Sequence, residues 1–124
     1  MFLAPLLREP DRLWALEEVT SHRTLVSRVH AAVDSTSRKR GLLGRASLDD
    51  AALVIAPCNA VHTFFMRFPI DILFVDRQGR VLRVARAVPP WRIAWAWRAF
   101  AVIELAATAA APIQVGDRIG LRAA

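Results

Sequence analysis

This chain is short of thiols and amines: Cys58 is its one cysteine and Lys39 its one lysine in 124 residues. A single cysteine leaves no internal disulfide and no multi-thiolate metal site within one chain, which sets aside the disulfide-stapled secreted domains. No apolar run approaches the roughly 20 residues of a membrane-spanning helix, so no membrane partner is expected. Residues 1–7 carry no basic residue ahead of a short apolar part, and charged residues 8–12 stand where a small-residue cleavage site belongs. No signal peptide is read there, and a cytoplasmic protein is expected. Also missing are internal repeats, heptads, a Gly-x-Ser-x-Gly elbow, a phosphate-cradling glycine loop and a paired-carboxylate motif.

What is present is enough for one core: 55% hydrophobic and 23% charged residues, too apolar for a disordered tail. The formal net charge is +6, and all but one of the 17 cationic residues are arginine. Arginine's planar fork suits phosphates, which leaves nucleic acid open as a partner. The basic residues are nevertheless spread along the chain, as expected of charge that serves solubility, so nucleic acid is not favoured.

Residues 1–24 read as a peripheral N-terminal arm, with a turn of helix over residues 14–18, and residues 25–124 as a single β-rich domain. The loose alternation over residues 25–33 predicts a first strand. Residues 34–37 offer N-cap candidates for a short helix ending near Gly41 or Gly44. The apolar run 51–56, stopped by Pro57, suits a buried strand. Residues 70–75 are the clearest strand, followed by turn chemistry at 76–79 and a returning strand over 80–85. Further strands are expected at 101–105 and 119–121. Six or seven short strands with one short helix predict a mainly β fold (α+β at the margin), a small sandwich or barrel.

The stretch 58–76 gathers a thiol, an imidazole, a hydroxyl, a thioether and carboxylates among apolar residues. Burying such groups unpaired costs roughly 1–3 kcal/mol each, so they must be bonded, charge-paired or used. Cys58, His62 and Met66 are soft-metal ligand types spaced by four, which a helix would bring about 5–6 Å apart. Extended chain at roughly 3.3 Å per residue separates them by about 13 Å, and Pro69 biases Phe68 away from helix. No metal and no cofactor is therefore assigned. Read as extended, His62, Phe64, Met66 and Phe68 face one side and Thr63, Phe65 and Arg67 the other.

Three uses of this stretch stay open. His62 with Asp71, or Cys58 with His62, could form the base and partner of a hydrolase-like site. Alternatively, His62, Thr63, Met66, Asp71 and Glu104 line a polar pocket for a small ligand, with Arg45 as an anion-facing group. The third use is structural, because a histidine in an apolar run is commonly a satisfied structural one. Glu104, set among apolar residues 102–105, must pair with an arginine or stay protonated through a raised pKa.

Residues 90–98 hold three of the four tryptophans. Extended, they place Trp91, Ile93, Trp95 and Trp97 on one face and Arg92 and Arg98 on the other. Such a face can close a core, form a homodimer contact or stack on a ligand. A homodimer through Trp91, Trp95 and Trp97 is the expected partner contact.

Five pieces occur in order: residues 40–45, 62–66, 69–76, 79–81, and 102–105 followed by 115–118. Together they resemble the bacterial and archaeal domain of unknown function family 192, over about residues 25–121. The resemblance implies a compact, mostly β fold with one short helix and no established activity. Two departures stand out. Alanine-rich residues 106–111 replace a stretch that usually contains glycine, and the secretory or lipid-anchor segment of many relatives is not read here.

Overall fold

The computed structural model describes residues 1–34 and 48–124. Among these residues lie one short helix, α1 (Ala4–Arg8), and ten strands. The strands are β1 (Trp14–Glu18), β2 (Arg23–Val26), β3 (Arg28–Ala32), β4 (Ala51–Ile55) and β5 (Ala60–His62), then β6 (Ile70–Val75), β7 (Val81–Val88), β8 (Ile93–Trp95), β9 (Ala101–Ala106) and β10 (Ile119–Ala123). They form a five-stranded sheet in the order β3-β4-β9-β6-β7, a three-stranded sheet β10-β1-β2, and a two-stranded ribbon β5-β8. Only the β3–β4 pairing is parallel among the pairs of the large sheet.

The continuous apolar runs of β4, β6 and β9 follow from burial on both faces of the large sheet. Every residue of β6 is buried, and every residue of β9 except the last. On one face Val54, Leu73, Val75, Ile103 and Leu105 pack with Leu16, Val26 and Ile119 of the three-stranded sheet. On the other face Leu53, Ile55, Ile70, Ile72, Phe74 and Val102 meet Leu48, Met66 and Ala94, with Val61 of the ribbon packed alongside. The result is a sandwich with a third, smaller layer, and it is not a closed barrel.

Turn chemistry fixes how these layers join. Glu18, at the end of β1, accepts backbone N–H bonds from Thr20 and Ser21, both at 2.9 Å. Those bonds lower its pKa from 4.5 to about 2. Asp76 accepts from the N–H groups of Gln78 and Arg80, which shapes the β6–β7 hairpin. Gly79 in that hairpin has φ +86°, and a Cβ there would stand 2.1 Å from the Ile119 carbonyl oxygen. Only glycine allows β10 to approach this closely and Ile119 to donate to the Gly79 carbonyl at 2.8 Å.

Residues 1–24, expected to be peripheral, instead supply core. Phe2, Leu3 and Leu16 are buried in the main cluster, and β1 is the central strand of its sheet. Residues 14–18 are therefore strand and not a turn of helix, because pairing with β2 and β10 on both sides outweighs local preference. The helix in the described residues lies earlier, at Ala4–Arg8, while the one expected over residues 35–44 lies outside them. The expected strand 25–33 divides at Ser27, whose N–H and hydroxyl both bond the Asp50 carboxylate, so β2 and β3 join different sheets.

Leu16 is fully buried between the sheets. Leu16→Ala is expected to lower stability by about 2–5 kcal/mol in urea unfolding. A loss under about 1 kcal/mol would contradict the placement of β1 in the core.

Candidate functional site

The candidate site residues divide between the two faces of the large sheet. Asp71 pairs in register with Leu105, while its neighbour Ile72 pairs with Glu104. Asp71 thus faces the main cluster and Glu104 the ribbon side, since successive strand residues alternate. Asp71 is buried, and its two oxygens accept from the Ala87 N–H at 2.8 Å and the Ala110 N–H at 3.0 Å. Ala87 sits at φ +47° in a pairing irregularity of β7, and Ala110 lies in the turn after β9. Arg86 donates to the carbonyls of Ala110 and Ile113 in the same turn. Asp71 therefore ties β6, β7 and the alanine-rich turn together.

Glu104 has no such partners. It is 4% exposed, flanked across the strands by Leu53 and Ile72, and has no hydrogen-bond partner among the described residues. Desolvation raises its pKa from 4.5 to about 7. The register places His30 beyond Leu53 on the same face.

The segment after β5 is a turn and not an extended strand. Met66 N–H bonds the Thr63 carbonyl at 3.2 Å and Phe65 has φ +65°, so Thr63 and Met66, three residues apart, both point inward. The alternation expected over residues 62–68 fails for that reason. Thr63 is a clamp: its hydroxyl donates to the Pro89 carbonyl at 2.7 Å and accepts from the Arg92 N–H at 2.8 Å. Its backbone bonds Arg92 and Trp91 as well, at 2.8 and 3.0 Å. Met66 fills the core beneath. Cys58 is half-buried with its thiol donating to the Ala60 carbonyl at 3.2 Å, while Met66 is buried and His62 exposed.

His62 ends β5, exposed, with Nδ1 accepting the Phe64 N–H at 3.2 Å. Its ring stacks on Phe64 at 4.8 Å, Phe64 stacks on Trp91 at 5.7 Å, and Phe65 meets Trp91 edge-on at 4.7 Å. On β8 Ala94 turns inward, so Ile93 and Trp95 turn outward. Asn59 holds the following segment through its amide, which donates to the Trp97 carbonyl at 3.2 Å. Phe65, Trp91, Ile93, Trp95 and Trp97 are between 56% and 73% exposed. Arg83 lies 5.8 Å over the Trp95 ring and Arg98 lies 4.9 Å over Trp97. Beside Arg98 an open concavity of about 470 Å³ is lined by Pro57, Asp76, Arg77 and Phe100.

The structure thus separates the expected polar pocket. Thr63 and Met66 are interior, Asp71 and Glu104 lie on opposite sheet faces, His62 is on the surface, and Arg45 lies outside the described residues. What it brings together is the aromatic group around His62 and the tryptophans. Phe65 and Arg83 in this group were not candidates from sequence. Arg83 was accessible by register, since it pairs with Phe74 on the ribbon side, but the left-handed turn at Phe65 leaves no composition signal.

The DUF192 family profile, described as an uncharacterised ACR, matches residues 17–121. Among curated proteins none matches significantly. The fold is similar to a crystal structure of a protein of unknown function from Novosphingobium aromaticivorans DSM 12444, at 25% identity and TM-score 0.73, over 86% of this chain and 82% of that one. It is also similar to a protein from Sinorhizobium meliloti 1021 named as a candidate transcription regulator, at 22% identity and TM-score 0.76, over 89% and 92% of the two chains. No helix of the described residues is long and apolar enough to cross a membrane.

Asp71→Asn is expected to cost about 3 kcal/mol in urea unfolding, because an amide NH2 then faces a backbone N–H donor that had a charged acceptor. Glu104 gives a pH signature. The native state keeps a proton that the unfolded chain releases between pH 4.5 and about 7. Stability therefore falls as pH rises through that window, by about 3 kcal/mol, and levels off above it. Glu104→Gln should remove this part of the slope; parallel stability–pH curves for the two proteins would refute it.

Proposed function

We propose that this chain, which belongs to the DUF192 family, is a binding module whose working surface is the outward side of the β5–β8 ribbon. The observation that carries this reading is the exposure of five bulky apolar side chains at one place, two of them on strained backbone. Phe65 and Trp91 have φ of +65° and +69°, conformations that bulky residues avoid. Strain of this kind persists only where the surroundings over-determine it, and the Thr63 clamp supplies that constraint. Exposed apolar patches of this sort mark interaction sites more than they serve the fold. As part of the same proposal the module works in the cytoplasm, since a fold with one cysteine in 124 residues draws nothing from an oxidising compartment.

A hydrolase site using His62 and Asp71 has weaker support. Both Asp71 oxygens are engaged by backbone donors on the far side of the sheet, so the carboxylate is not free to orient the imidazole.

Trp95→Ala and Trp97→Ala remove exposed atoms, so each should leave the unfolding free energy within about 0.5 kcal/mol of the parent. A thermal-shift series with nucleotides, sugars, oligonucleotides and anionic vesicles then tests the surface. Responses of the parent protein should vanish in the tryptophan variants and survive in Asp71→Asn. A ligand response that both tryptophan variants retain would overturn the proposal.

A further inference from the structure

We infer that the occupant of the ribbon surface is single-stranded nucleic acid, its bases stacked on Trp95 and Trp97 and its phosphates met by the surrounding arginines. The inference rests on the ribbon being the working surface, and it adds the partner's chemistry. Residues 51–124 contain nine arginines, no lysine and four carboxylates. Of the four, Asp71 and Glu104 are buried. Asp76 and Asp117 are turned onto backbone N–H groups of their own turns, at 2.9 Å. Arg67, Arg77, Arg83, Arg92 and Arg98 have no carboxylate within salt-bridge distance among the described residues, where the pairs are Arg12–Glu9 and Arg122–Glu17. The arginines around the tryptophans thus outnumber the carboxylates near them, with Asp76 lining the concavity beside Arg77 and Arg98, and the complement of this surface is an anion.

The arrangement of ring and guanidinium decides which anion. Arg83 lies over Trp95 and Arg98 over Trp97, and the two indoles remain 57% and 73% exposed, area on which a flat partner can stack. A base stacked there completes a base–indole–guanidinium sandwich, and base–aromatic stacking tolerates any sequence because every base has a π-face. Arg83 gives one donor to the Trp95 carbonyl, and its other donors, with those of Arg98, can meet phosphate. Beside Trp97 the concavity holds Arg98 and Arg77, the latter 4.5 Å over Phe100, together with Asp76, whose carboxylate is bonded to the turn N–H groups of Gln78 and Arg80.

Two other occupants fit less well. Inserting Trp95 and Trp97 into lipid would carry the guanidiniums stacked on them toward hydrocarbon, at a cost of several kcal/mol for each charge at depth. A second copy meeting this face in two-fold symmetry would bring two patches bearing Arg83, Arg92 and Arg98 together, and patches of like charge oppose association.

The test is a titration of tryptophan fluorescence with oligothymidylate, and with phosphatidylserine–phosphatidylcholine vesicles in parallel. Light scattering follows self-association. Oligothymidylate should quench the emission. Its affinity should fall roughly 20- to 50-fold between about 50 and 200 mM salt, for three or four phosphate contacts at a slope near −0.7 each. Trp95→Ala and Trp97→Ala should each weaken binding roughly tenfold or more, and Arg98→Ala should lower the salt slope by about 0.7. Absence of quenching at the lower salt, or binding that both folded tryptophan variants retain in full, overturns the inference. If vesicle binding or self-association depends on these tryptophans while oligothymidylate does not bind, nucleic acid is rejected and the ribbon surface stands. If no probe responds to the substitutions, both readings fall.

Discussion

A sheet covered on both faces leaves no water to satisfy a polar side chain, and here that constraint falls on β6 and β9. Each strand carries one carboxylate, in adjacent register positions but on opposite faces. The two are resolved in different ways. Asp71 recruits two backbone donors, one from an irregular residue of β7 and one from the turn after β9. Those donors would otherwise be unpaired themselves, so one acid settles three groups. Glu104 is flanked by Leu53 and Ile72 across the strands and answers by holding its proton to higher pH. Identical chemistry thus has opposite outcomes, and only the register decides between them.

The irregular backbone follows from the same packing. Asp71 and Arg86 together hold residues 106–113 in successive tight turns, with Thr108 at φ +75° where glycine would be expected. The alanine-rich stretch is therefore held in its turns by bonding from neighbouring strands. At the ribbon, Thr63 does comparable work with a hydroxyl that donates to one carbonyl and accepts from one N–H. It fixes a turn that buries Met66 and turns Phe65 and Trp91 to solvent. The surface proposed to bind is thus set by a residue that does not reach it.

Much of this was legible in the chain itself. The largely apolar runs expected as strands over residues 51–56, 70–75 and 101–105 form β4, β6 and β9 because each is covered on both faces, which near-continuous hydrophobicity serves. The hairpin at 76–79 followed from its Asp and Gly. The alternation of Ile93, Ala94 and Trp95 held within β8. Pairing partners were not legible: nothing local tells Trp14–Glu18 that β10, a hundred residues away, will make it a central strand. Nor does composition reveal that Asp50 cuts the 25–33 run in two, or that residues 63–66 turn. The pocket expectation failed at that point, since it rested on an extended 62–68 and on Asp71 and Glu104 sharing a face.

The ribbon's two strands come from either side of the β6–β7 hairpin, Ala60–His62 before it and Ile93–Trp95 after it. The turn-back of that hairpin shortens the loop that the ribbon would otherwise have to close. Phe65 lies before the hairpin and Trp91, Trp95 and Trp97 after it, so a cut within residues 76–79 would divide the aromatic group between two pieces of chain, each anchored in the large sheet by its own strand of the hairpin.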